Sequence, residues 1–158
     1  MRIRVGLLLL TIVALIFWNL NHGPYRMKRL IDSGCAQAME MARRDFKVEL
    51  DLSAESIPRV EEIAARAAAA GTLTEARRAE LSKLLGVYLG EVARRYHGGE
   101  WLIPASGPAK GALMLRNRRG QTSPPARVYQ RLGGEGGSLA EYDRAITPSE
   151  PAKHPAGG

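Results

Sequence analysis

Two side chains in the stretch LGEVARRYHGGEW, Leu89 to Trp101, carry the strongest case for chemistry: Glu91 and His97. On a helix Glu91 projects beside Leu84 and Tyr88, near the border of an apolar face, with Arg95 one turn on. A carboxylate so placed loses water, which raises its pKa towards the range of a working acid or base. The competing reading is an ion pair with Arg95 at i+4 or a hydrogen bond holding the following loop. That reading is favoured, because no second acid-base group stands in a fixed relation to Glu91. His97 closes the same helix, where a protonated imidazole complements the helix dipole. A role as catalytic histidine is the alternative.

Other chemistry is poorly represented. His22 and His154 lie far from His97, Cys35 is the single cysteine, and no His-Glu-x-x-His pattern occurs. No metal site, disulfide or cofactor is therefore expected. Nucleophile-elbow, phosphate-loop and dinucleotide fingerprints are missing as well. Gly133-Gly134-Glu135-Gly136-Gly137 lacks the lysine and the strand–loop–helix setting of a phosphate loop, so it reads as a flexible connection. Ser106-Gly107 precedes a proline and has no base near it in sequence.

Charge is the clearest anomaly. The net charge is +7 over 158 residues, with an isoelectric point near 10.0, which favours anionic partners. Between Trp101 and Gly134 there is no Asp or Glu, while Lys110, Arg116, Arg118, Arg119, Arg127 and Arg131 all fall there. Arg116, Arg118, Arg119, Arg127 and Arg131 are the candidate binding residues. A protein partner is the expected ligand and acidic lipid the second reading. Nucleic acid is disfavoured because Tyr129 is the only stacking aromatic in the patch. A merely solvated basic surface is the plain alternative.

These residues must be positioned by a long helix. Thr72 and Glu75 have the spacing of a capping box, and Leu81, Leu84, Leu85, Tyr88, Leu89, Val92 and Tyr96 recur with helical period. Gly98-Gly99 ends the element. Ala79, Gly86, Gly90 and Ala93 form a narrow strip of small residues. That strip is expected to receive the Ala-rich helix that Ser56 and Pro58 open and Gly71 closes. Phe46, Val48, Leu50 and Leu52 alternate with charged residues, the pattern of a half-buried strand. Glu100–Ile103 and Gly111–Arg116 are expected to join it in a three-stranded antiparallel sheet. Asn117–Thr122 reads as a loop. Ser123-Pro124 opens a short helix to Leu132, burying Val128 and Leu132. Ser138 and Glu141 cap a last helix in which Leu139, Tyr142 and Ile146 face in. The fold class is α+β, with two packed central helices against a small sheet, short C-terminal helices and an N-terminal transmembrane helix.

At the N-terminus Arg2 and Arg4 precede the uncharged run Val5–Trp18. As a helix, Ile3–Leu20 spans roughly 27 Å, about the hydrocarbon thickness of a bilayer. No small-residue cleavage site follows, so an uncleaved anchor is expected in place of a signal peptide. Arg2 and Arg4 set against Arg26, Lys28 and Arg29 leave the orientation finely balanced, with a lean to an extracytoplasmic domain. The divisions are an anchor at 1–22, a juxtamembrane helix at 23–45 with an inward stripe from Met27 to Met41, a compact domain at 46–146 and a disordered tail at 147–158.

The Leu89-Gly90-Glu91 helical turn, the Gly99-Glu100-Trp101 that follows, a Gly-Ala strand, then Pro125, Val128, Arg131 and a Leu139…Tyr142 helix share an order and spacing. Taken together they resemble a group of small bacterial proteins catalogued as a domain of unknown function. The resemblance covers Leu50 to Ile146 and implies an α+β fold with no known activity. The anchor and the glycine-rich turn depart from it. The function expected is an inner-membrane, single-pass, non-catalytic protein-binding module of the inhibitor or immunity kind. A small hydrolase or lyase using Glu91 and His97 is the alternative.

Overall fold

The computed structural model describes residues 24–135 and 137–146. The apolar run, the C-terminal tail and the packing of Ile146 lie outside the described residues. The chain divides into two compact units, 1–33 and 34–158. Among the described residues no helix is long and apolar enough to cross a membrane.

The architecture is α+β. Among the described residues there are five α-helices, α1 (Pro24–Met41), α2 (Ile57–Ala69), α3 (Glu75–His97), α4 (Pro124–Leu132) and α5 (Leu139–Ile146), and a small sheet. Its strands β1 (Glu100–Leu102), β2 (Met114–Asn117) and β3 (Gly120–Thr122) are antiparallel in the order β1-β2-β3. Trp101, Leu115 and Thr122 stand side by side on one face, and Glu100, Arg116 and Gln121 on the other. The third strand is thus supplied by the second half of the expected loop Asn117–Thr122, which folds back as a hairpin.

Phe46–Leu52 is not a strand, contrary to its alternation. The alternation does report burial: Val48 and Leu50 are buried while Lys47, Glu49 and Asp51 are exposed. Pairing is prevented at both ends, where Lys47 (φ 58°) and Leu52 (φ 60°) adopt left-handed backbone. The segment's polar groups go to side chains instead of a ladder. Phe46 O accepts from Arg66 at 2.9 Å, Glu49 O from Arg59 at 2.9 Å, and Leu52 N–H donates to the Tyr88 hydroxyl at 2.7 Å. Before it, α1 continues into a wider π-type turn over Ala42–Phe46. There Asp45 accepts from Arg44 and from Arg77 of α3. Those hydrogen bonds hold the Asp45 carboxyl down at about 2.

The central helix α3 is buried on every side from Leu84 to Ala93, as a helix at the middle of a domain must be. Its start differs by two residues from the expected capping box. Thr74, not Thr72, is the cap, and its hydroxyl accepts from Arg77 N–H at 3.2 Å. Glu75 is then free to accept the Tyr129 hydroxyl of α4. The end is as expected, with Gly98 at φ 75° and its N–H on Arg94 O at 2.9 Å. Tyr96, expected on the buried face, is 54% exposed, and Ala79 is exposed too.

The glycine strip of α3 receives α4 and β1 rather than the Ala-rich helix. A Cβ at Gly86 would lie 2.5 Å from Pro125 N and 2.9 Å from the Pro124 carbonyl carbon; one at Gly90 would meet the Trp101 ring and Pro124 Cγ. At the other end of α4, Arg78 stacks on the Tyr129 ring at 3.8 Å and donates twice to Tyr129 O. Helix α4 therefore runs antiparallel along α3, pinned at both ends. The caps expected for the last two helices are present: Ser123 Oγ accepts from Ala126 N–H, and Ser138 and Glu141 exchange side-chain-to-backbone bonds. Glu61 of α2 ties these helices together by accepting from Arg131 and from Leu139 N–H. Ser56 enters the core instead of capping α2, donating to Ser53 O and accepting from Tyr88.

Two substitutions test this packing by chemical denaturation. Gly86→Ala raises helix propensity by about 1 kcal/mol, yet it is expected to destabilise the domain by about 1–3 kcal/mol, because the obstructing atoms are backbone. Tyr88→Phe strands the Leu52 N–H and removes the donor to Ser56 Oγ, with an expected loss of about 1–3 kcal/mol. Unchanged midpoints would contradict these assignments.

Candidate functional site

Glu91 lies on the buried flank of α3 and is 4% exposed. Its carboxylate is fully engaged. Oε1 accepts from Arg94 at 2.9 Å and Arg95 at 3.1 Å; Oε2 accepts from Arg94 at 2.8 Å and from the Trp101 indole N–H at 3.2 Å. The anticipated Arg95 pairing is present, joined by a two-point contact from Arg94 and by the first core-facing residue of β1. Burial alone pushes the carboxyl up, but the hydrogen bonds from Arg94, Arg95 and Trp101 outweigh it, and the pKa lies below the ordinary carboxylate value. The direction is opposite to that expected of a general acid. Glu91 is thus an ionised brace between the end of α3 and the sheet.

His97 sits elsewhere, at the lip of an open groove of about 800 Å³. The lining residues are His97, Gly98, Gly99, Glu100, Arg116, Asn117 and Arg118, where the end of α3 meets the β2–β3 turn. Glu91 is not among them, so the two sequence candidates do not meet in this groove. His97 Nε2 lies 3.5 Å from Asp143 Oδ1 of α5, both side chains being largely covered. Burial pushes the Asp143 carboxyl up, while the charge and hydrogen bond of His97 partly offset this. Asp143 carries no signal in the sequence. Its place follows from Tyr142, whose buried ring brings α5 to the sheet by a 2.9 Å hydrogen bond to Thr122.

The five candidate basic residues occupy different places. Arg116 and Arg118 both line the groove, and Arg116 forms a cross-strand ion pair with Glu100, a pairing expected of opposed charges on an antiparallel sheet. Arg118 is exposed at the hairpin tip. Arg119 donates to Ala145 O at 2.8 Å, tying that tip to α5. Arg127 donates to Gly137 O and lies 5.9 Å from the Tyr142 ring centre, and Arg131 is committed to Glu61. The groove thus gathers Arg116 and Arg118, whereas Arg127 and Arg131 brace α4 against α5 and α2. Among the described residues no group of three or more His, Cys, Asp or Glu is placed to hold a metal ion.

Comparison with protein-family models, with curated proteins and with solved structures returns no match. The site therefore has to be read from its own geometry.

Glu91→Gln keeps the shape of the side chain and removes the charge that two guanidiniums share. The expected loss is about 1–3 kcal/mol at neutral pH, allowing for the partial exposure of both arginines. A depressed folded-state pKa contributes stability above the unfolded value that is lost as pH falls through the folded one. The gap between native chain and variant should therefore narrow below pH 4.5. Denaturation curves at neutral and acid pH measure it; a gap independent of pH would contradict the brace.

Proposed function

We propose that this domain works by binding, not by reaction: it takes a protein partner at the groove beside His97, and the apolar run Val5–Trp18 holds it at a membrane. The observation that carries this reading is the saturation of Glu91. A carboxylate offers about four acceptor positions, and Arg94, Arg95 and Trp101 fill them with four hydrogen bonds. A carboxylate so held has no position left for a substrate proton, and its lowered pKa makes it a poor proton donor or acceptor near neutrality. The hydrolase or lyase reading asked Glu91 and His97 to act together, and their separate surroundings weigh against it.

The groove suits recognition. It is open and lined by charged side chains, the Arg116–Glu100 pair and Arg118, and the adjoining α5 is held by side-chain contacts. Exposed charges at a rim steer association and set its salt dependence more than they add affinity. An acidic segment on the partner suits Arg118, in keeping with an inhibitor-like or immunity-like role. The anchor reading rests on the length and uniformity of the apolar run and on the basic residues flanking it.

A photo-crosslinking residue in place of Asn117, carried in the full chain in its own cells, is expected to give one discrete protein adduct. Arg118→Glu in the same chain should lower its yield about tenfold. Loss of any adduct, or an adduct indifferent to residue 118, would overturn the assignment of the groove.

A further inference from the structure

The first turns of α1 present an outward face unlike the rest of the described surface. Tyr25, Arg26, Arg29 and Leu30 fall at i, i+1, i+4 and i+5, which places them side by side on one helical face. Tyr25 is 56% and Leu30 44% exposed, two of the four large apolar side chains left in solvent among the described residues. Arg26 and Arg29 are exposed and have no ion pair among the described residues. Lys28, in contrast, is paired with Asp32 at 2.5 Å. This part of α1 belongs to the first compact unit, 1–33, and the apolar run Val5–Trp18 ends five residues short of the helix.

We propose that this face lies on the anionic headgroup layer of a bilayer. The two guanidiniums take lipid phosphates, and Tyr25 and Leu30, on either side of them, enter the acyl boundary. Four physical requirements of an interfacial helix coincide here. An aromatic ring with a polar tip suits the headgroup level, and an aliphatic neighbour supplies apolar burial. Arginine forks match phosphate oxygens two at a time. Three basic residues against one acidic give the segment the sign that an anionic leaflet attracts. Charge also selects the occupant. A second copy of the chain would bring Arg26 and Arg29 against their own like, whereas anionic lipid neutralises them. The proposal rests on the anchor reading in one respect: the apolar run is what delivers the helix to the surface.

The test uses the full chain carrying Leu30→Cys and an environment-sensitive fluorophore, Cys35 being buried. It is reconstituted into vesicles of phosphatidylcholine alone or with one third phosphatidylglycerol. Flotation after an alkaline wash reports the anchor, and the fluorophore reports the face. The expected result is flotation with both compositions, with a blue-shifted emission only where phosphatidylglycerol is present and reversed by high salt. Arg26→Gln with Arg29→Gln should lower the ratio of docked to undocked face by roughly 30-fold, the factor for two basic side chains at an anionic surface. Both positions are exposed, so the helix content of the variant should match that of the native chain. Flotation with an emission that stays water-like in both vesicles overturns the proposal and leaves the anchor standing. An emission shift that follows protein density and ignores lipid charge also overturns it and assigns the face to a second copy. Failure to float with neutral vesicles removes the anchor. The face is then supported if salt-sensitive binding to phosphatidylglycerol vesicles persists, and refuted if it does not.

Discussion

The close approach of two backbones at Gly86 is the constraint on which the rest of the domain depends. Only a helix without a Cβ at that point can take the Pro124-Pro125 start of α4 against its own surface. That contact fixes where α4 begins, and the Arg78–Tyr129 stack fixes where it ends. Once α4 is placed, Arg131 reaches Glu61 and positions the N-terminus of α5 through the same carboxylate. Helix α5 in turn brings Tyr142 to Thr122 and Asp143 to His97. A glycine that weakens an isolated helix by about 1 kcal/mol is in this way the starting point for three later elements.

Polar groups inside the domain serve the same end. Glu91, Glu61 and Ser56 are covered side chains that join different elements: Glu91 ties α3 to β1, while Glu61 and Ser56 reach partners far away in sequence. A covered charge left without partners would be very costly. Each of these is therefore surrounded by donors, and the donors come from different elements: two arginines and an indole for Glu91, an arginine and a helix N-terminus for Glu61. The same arrangement that makes Glu91 a sound brace makes it unsuited to proton transfer. Arg118 at the groove and the outer face of α1 are, by contrast, open to solvent.

Local features were legible in the sequence. The Ser138–Glu141 box, the Ser123-Pro124 start and the Gly98-Gly99 stop involve atoms a few residues apart, so spacing alone implies them. Features decided at a distance were not. Thr72 and Thr74 are equivalent as caps until Tyr129, 54 residues from Glu75, claims that carboxylate. The alternation in Phe46–Leu52 correctly marks which side chains are covered. It cannot say that Arg59, Arg66 and Tyr88 will take the backbone groups a neighbouring strand would have used. The small-residue strip correctly announces a tight neighbour, but two candidate neighbours existed, and proline rings fit the notch better than alanine methyls. For the site, one partner of Glu91 was legible at Arg95 because i and i+4 meet on any helix. His97 and Asp143 meet only because α5 returns to the end of α3.

The sheet has one further consequence, for behaviour at high concentration. Both outer strands are only three residues long, and β1 is closed in by a glycine pair before it and by Pro104 just beyond. Open strand edges are where folded proteins add a foreign strand and polymerise, and brevity, glycine and proline are ordinary defences against it. By handing the Phe46–Leu52 backbone to arginine and tyrosine side chains, the domain avoids creating a longer exposed edge. Short, terminated edges of this kind favour copies of the domain staying discrete when they meet often.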